Sequence, residues 1–141
     1  MPEPGEGRTF RVSEAREMLP RIDAQLGAMQ EARSRATEAR ALIDAIRRSA
    51  TGNGGSTHAD TRQLEERFRG HAARLRELAE GLESMGVQVK DLERGLVDWL
   101  AEREGRQVLL CWLRGEPDVG WWHELSDGFA GRQAIVEEEW D

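Results

Sequence analysis

Between residues 60 and 85, Leu64, Phe68, His71, Leu75, Leu78, Leu82 and Met85 follow one another in alternating steps of four and three. That spacing keeps side chains on one stripe of an α-helix and forms a heptad seam with His71 as its one polar member. A strand cannot do this, because its side chains alternate between faces with a period of two. Gly86 follows at once and suits a left-handed helix stop. The seam therefore predicts a helix from about Asp60 to Met85.

A matching helix precedes it. Val12, Ala15, Leu19, Ile22, Leu26 and Met29, then Ala36, Ile43 and Ile46, keep the same spacing. Ser13 suits an N-cap, with Glu14 and Glu17 at the positive end of the helix dipole. Pro20 interrupts the pattern. It removes one backbone hydrogen bond and clashes with the preceding turn, so a kink or a restart is expected there. The helix should end near Arg48, before the polar, glycine-rich linker Thr51–Thr57. Each helix spans roughly 40–50 Å at 1.5 Å per residue, and the short linker folds them into an antiparallel, coiled-coil-like hairpin. Two helices alone bury little apolar surface. A second hairpin in a homodimer is the expected third partner, and a monomer whose tail covers one end of the hairpin is the alternative; the hairpin also offers a surface to another protein.

After Gly86 the pattern changes. Val87–Asp91 alternates apolar and polar residues, and Gly95–Ala101 and Gln107–Leu113 are rich in branched and aromatic side chains. Gly105 suits a hairpin turn between them, and Gly115–Asp118 the next turn. Val119–Glu124 reads as a third strand of this set, and Gly128–Arg132 as a loop leading to Gln133–Val136. The expected fold class is α+β: a long antiparallel helical hairpin followed by a small antiparallel β-sheet or meander of three to four strands. In domain terms, residues 1–12 form an N-terminal extension and 13–86 the hairpin, with a flexible linker at 50–57. Residues 87–136 form the β subdomain and 137–141 an acidic tail.

Composition narrows the function. The length of 141 residues fits one domain. No apolar run approaches the roughly 20 residues that cross a bilayer. The N-terminus lacks the apolar stretch of a signal peptide, and a single cysteine forms no internal disulfide, so a cytoplasmic location is expected. All but one of the 20 basic residues are arginine, and the net charge of −7 lies entirely after Gly86. A nucleic-acid binder would show a basic face there. The acidic, tryptophan-rich end argues against nucleic acid and leaves room for a cation.

The candidate chemistry is concentrated in one stretch. Gln107–Arg132 holds the only cysteine, Cys111, together with Trp112, Trp121, Trp122 and His123. His123 lies among acids, seven residues after Glu116 and four before Asp127. Asp98 alternates with Leu96 and Leu100, so it shares their strand face, and a carboxylate there needs a partner or a metal. Arg132 ends the glycine-bracketed turn GFAGR and can pair with Asp98 or Glu116. Cys111 shares a face with Leu109 and Leu113 and reads as a small buried hydrophobe. A four-residue loop at Gly115–Asp118 would set Cys111 opposite Trp122. A five-residue loop or a bulge would set it opposite His123.

Three blocks, FRVSEAREMLPRI, GVQVKDLERGLVDW and VLLCWLRGEPDVGWWHELSDGFAGR, resemble a bacterial family of uncharacterised proteins, the domain-of-unknown-function family 2203. The resemblance covers nearly the whole chain, with Trp99–Leu100 where that family commonly shows Phe–Pro. It adds weight to Asp98, Glu116, His123 and Arg132 and implies no reaction.

Three readings remain open. In the first the chain binds rather than turns over, with a small polar pocket of Asp98, Glu116, Trp122, His123 and Arg132. In the second, Asp98, Cys111, Glu116 and His123 supply ligands for a divalent metal such as zinc in a hydrolase-like enzyme. A coiled-coil scaffold without a ligand site is the third reading.

Overall fold

The computed structural model describes residues 7–50 and 57–140. Two helices, α1 (Val12–Ala50) and α2 (Thr57–Ser84), precede five strands. The strands are β1 (Val87–Asp91), β2 (Leu96–Arg103), β3 (Arg106–Leu113), β4 (Trp121–Glu124) and β5 (Gln133–Ala134). All four pairings are antiparallel and join consecutive strands, which makes a five-stranded meander. The α+β expectation holds, with one or two strands more than foreseen. The chain forms two compact units, one comprising residues up to Leu26 and from Glu80 onward, the other Gly27–Ala79. Most of the linker expected at 50–57, the first half of the N-terminal extension and Asp141 lie outside the described residues.

The Gly27–Ala79 unit is the helical hairpin proper. Arg47 meets Glu65 at 2.8 Å and the Arg40 guanidinium lies 5.8 Å from the centre of the Phe68 ring, so the two segments run antiparallel. Met29, Ala32, Ala36, Ala39 and Ile43 of α1 are buried, small residues letting the helices approach closely. The α2 seam is less well covered: Leu64, Phe68, His71, Leu75 and Leu78 are only half-buried.

At its start, α1 departs from the expected cap. The helix begins at Val12, one residue before Ser13, and the Glu14 carboxylate accepts the Arg11 backbone N–H at 2.8 Å. That bond, more than the nearby arginine charges, holds the Glu14 pKa below the ordinary carboxylate value. This is the glutamate half of a capping box, reaching back to the N–H of the residue before the helix. No restart occurs at Pro20, which lies inside one continuous helix.

In the first unit, the core collects Phe10, Ala15, Ile22, Leu26 and Leu82 with Val87, Val97, Trp99, Val108 and Leu110, all nearly inaccessible. Phe10 is tied to the sheet by its N–H, which donates to Leu100 O at 2.8 Å. Gly86 leaves α2 with φ +88°, and a Cβ there would come within 2.8 Å of the Phe10 ring. β2 and β3 pair over their full lengths and turn through Glu104 and Gly105, both at positive φ (52° and 78°). That is the turn geometry whose twist matches the strands. Leu96 to Ala101 are all buried, so the sheet is covered on both faces at its centre. A central strand covered this way needs both its alternating sets satisfied, and Asp98 belongs to one of them.

Candidate functional site: a buried Asp–Cys–His cluster

Register decides which side chains meet. β3 and β4 pair Leu109 with His123, Leu110 with Trp122 and Cys111 with Trp121. Neither expected loop length is found, because seven residues (Arg114–Gly120) separate the strands. Glu116 shapes this longer loop: its N–H donates to Leu113 O (2.9 Å), and its carboxylate accepts the Leu113 N–H (2.7 Å). Its carbonyl accepts the Trp112 indole N–H at 3.1 Å. Arg114 donates its N–H to Gly95 O.

The resulting parity places Cys111 and His123 on one face. Asp98 sits directly across from Cys111 in the β2–β3 ladder. The three donor groups lie within 4.8 Å of one another, and all three residues are buried. Cys111, read from the sequence as packing, is thus in the cluster.

Hydrogen bonding orders the imidazole. His123 Nδ1 lies 2.9 Å from the carbonyl oxygen of Glu124, which can only accept, so Nδ1 carries a proton. Nε2 lies 3.0 Å from Asp98 Oδ2. A lone pair facing a carboxylate would repel it, so a proton lies between Nε2 and Oδ2 in this contact. The other carboxylate oxygen, Oδ1, is buried without a hydrogen-bond partner. The Cys111 thiol faces the same carboxylate.

The thiol itself is not poised for attack. Burial pushes its pKa up to about 12, the Asp98 charge pushes the same way, and Arg132 pulls back only in part. Both imidazole nitrogens are engaged, so none is left to take a proton from Cys111. A nucleophilic cysteine needs the reverse: a lowered pKa and a free base.

Glu116 and Arg132 form their own pair. Nη1 and Nη2 of Arg132 donate to the two Glu116 oxygens at 2.9 and 2.6 Å, a bidentate clasp. The arginine side chain is 9% exposed, and its Nε–H is buried without a partner. Its guanidinium lies 5.0 Å from the Trp121 ring centre and 4.6 Å from that of Phe129, and Arg94 lies 4.9 Å from the Phe129 ring. Arg94, Phe129, Arg132 and Trp121 therefore form a chain of cation–π contacts on the cluster's side of the sheet. The single 3-10 turn Phe129–Gly131 carries Phe129 into that chain. A Cβ on Gly131 would press within 2.7 Å of the Asp127 side chain, so the turn stays close only with glycine.

Trp122 points away from this cluster. One residue from His123, it occupies the opposite sheet face, 5.7 Å from the Trp140 ring and 5.0 Å from the Arg103 guanidinium. Of the expected site residues, Asp98 and His123 meet each other, Cys111 joins them, Glu116 and Arg132 pair beside them, and Trp122 does not take part. Trp121 was noted in the sequence only as one of the clustered tryptophans, and neither it nor Phe129 was expected against Arg132. Their signal was the aromatic placed on each side of a buried arginine, which only the register brings together.

A family model described as an uncharacterized conserved protein (DUF2203) matches residues 8–135. No curated protein and no solved structure matches the chain.

Proposed function

The chain belongs to that family of uncharacterised proteins, and from this premise we propose that it is a metal-binding protein holding one divalent, thiophilic ion at Asp98, Cys111 and His123. The observation that carries the reading is Asp98 Oδ1, a buried carboxylate oxygen without a partner beside a thiol and an imidazole. Sulfur, nitrogen and oxygen donors together match zinc better than magnesium or calcium, which prefer oxygen alone. The Glu124 carbonyl supports the same reading, since a metal-binding histidine ordinarily donates its other ring N–H to such an acceptor and is oriented by it. Zinc bond lengths of about 2.0–2.3 Å require the donors to draw in by roughly 1 Å from their widest separation. On binding, the ion would take the place of the proton between His123 and Asp98 and would displace the thiol proton.

Binding fits this site better than turnover. Asp98, Cys111 and His123 are each almost fully buried, whereas hydrolysis requires an open position for water and substrate. The test is metal analysis of protein purified without a histidine tag, followed by cobalt titration. One ion per chain and a sulfur-to-cobalt charge-transfer band that disappears in Cys111→Ser are expected. Less than a tenth of an equivalent after equilibration with micromolar zinc, with no cobalt band, rejects the metal.

We further infer that the Gly27–Ala79 unit pairs with a second copy of itself in the cytoplasm. The half-buried Leu64, Phe68, Leu75 and Leu78, with Leu42 exposed, support this pairing. The near balance of charge along both helices also favours it, since like copies repel little. Sedimentation at increasing concentration tests it: Leu75→Glu should leave a monomer where the parent chain is a dimer.

A further inference from the structure

The residues after Ala134 are held by contacts that the cluster does not explain. Beyond β5, Ile135 donates its N–H to Gly120 O, and Glu137–Glu139 make a single 3-10 turn. Three of the next four side chains then meet the body of the same unit. Glu137 accepts from Arg16 Nη2 at 2.6 Å, and Glu139 accepts from Arg103 Nη2 at 3.1 Å. Trp140 packs 5.7 Å from Trp122, with the Arg103 guanidinium 5.0 Å from the Trp122 ring and 4.8 Å from that of Trp140.

The receiving surface is prepared for such a segment. Arg16 is anchored by two donations to Val119 O, at 3.1 and 2.9 Å, so its guanidinium is already placed before Glu137 arrives. Arg103 lies over the Trp122 ring, 5.0 Å from its centre. Arg16, Arg103 and Trp122 all lie within residues 8–135, the stretch the family model matches, whereas Glu137, Glu139 and Trp140 lie beyond it. The tail is also an imperfect occupant. Arg103 Nη1 and the Trp140 indole N–H are both buried without acceptors, so two donors close to one another are left unmet. Both glutamates remain more than half exposed, and ion pairs in solvent hold weakly and yield to salt.

We infer that Arg16, Arg103 and Trp122 form a recognition groove for an acidic peptide that carries a tryptophan, and that the chain's own Val136–Trp140 segment occupies it as a resident competitor. The two arginines read carboxylates, Trp122 reads the indole, and Arg103 spans both tasks. Because β5 ends two residues before the segment, the tethered tail competes at an effective concentration on the order of millimolar. A peptide from elsewhere must exceed that competition, so the groove opens only to a ligand that binds better than the tail. This inference is independent of the metal reading.

The test uses the full chain and a fluorescein-labelled peptide of the sequence Val136–Asp141, read by anisotropy. A tail-silenced chain, Glu137→Gln with Glu139→Gln and Trp140→Ala, should bind the peptide at least about tenfold more tightly than the parent chain, as removal of a tethered competitor requires. Adding Arg103→Gln to the silenced chain should abolish binding, and raising salt from 50 to 500 mM should weaken it severalfold. Equal binding by silenced and parent chains, binding that survives Arg103→Gln, or no binding at millimolar peptide overturns the groove. If the silenced chain does not fold, the parent chain decides. Excess unlabelled peptide should shift the Trp140 indole N–H resonance toward its solvent-exposed position, and an unmoved resonance counts against the proposal.

Discussion

His123 Nε2 stands 3.0 Å from Asp98 Oδ2, with the two side chains only 3% and 2% exposed. Because both are out of water, removing one leaves the other's polar atoms without a partner. Asp98→Ala in metal-free protein should therefore cost about 3–5 kcal/mol of folding stability, the range for a broken buried pair. Replacing both at once, as Asp98→Leu with His123→Leu, should recover most of that loss. Urea titration of the single and double variants checks it, and purely additive losses would contradict the pairing.

Cys111 makes folding stability depend on alkaline pH. Its pKa in the folded chain is raised to about 12, against an ordinary thiol value of about 8.5 in the unfolded chain. A raised thiol pKa means that the unfolded state loses its proton first as pH climbs. The contribution is therefore intact below about pH 8.5 and is lost progressively up to about pH 12, at no more than roughly 1.4 kcal/mol per pH unit. Subtracting the stability profile of Cys111→Ala from that of the parent chain isolates this slope, which should be absent below pH 8.

The Glu116–Arg132 clasp lies near Cys111, whose thiol feels the Arg132 charge. Glu116→Gln keeps the size of the side chain but removes the charge that holds a nearly buried guanidinium. The loss should be about 1.5–3 kcal/mol, that of a hydrogen bond to a charged group. Labelling of Cys111 by a neutral alkylating reagent should accelerate at least tenfold in native buffer. An unchanged rate, with stability lowered, would separate the clasp from access to the cluster.

Two turn glycines should respond differently to alanine. At Gly105 (φ +78°) a Cβ would meet nothing within 4 Å, so Gly105→Ala should cost only the backbone penalty, about 1 kcal/mol. At Gly86 (φ +88°) the same change adds a clash with the Phe10 ring at 2.8 Å. Gly86→Ala should lose at least twice as much in a thermal melt compared against Gly105→Ala.

The helices were legible because a seam such as Leu64, Phe68, His71, Leu75 and Leu78 repeats over many turns. Gly105 was legible because a two-residue turn between strands demands positive φ. The site was only half legible. Asp98 stood out as an acid between apolar neighbours, and Arg132 was rightly expected to have a carboxylate partner. Cys111 was rightly read as buried, but whether it shared a face with His123 stayed open because that depends on the length of the Arg114–Gly120 loop, which Glu116 sets by bonding back to Leu113 and Trp112. A change of one residue in that loop would turn every β4 side chain to the other face. Ser13 failed as a cap for a similar local reason, since the helix starts one residue before it and Glu14 bonds back to the Arg11 N–H.

The hydrogen bonds Phe10 N–H to Leu100 O and Arg16 to Val119 O join parts of the chain about a hundred residues apart. During synthesis the first 26 residues therefore emerge long before the strands they complete, while each strand of the meander meets its neighbour almost as soon as it appears. The intervening hairpin behaves as a closed detour between two halves of one unit. Since the entropy of closing a loop grows only with the logarithm of its length, that detour can be lengthened or shortened by whole heptads at little cost to the sheet it interrupts.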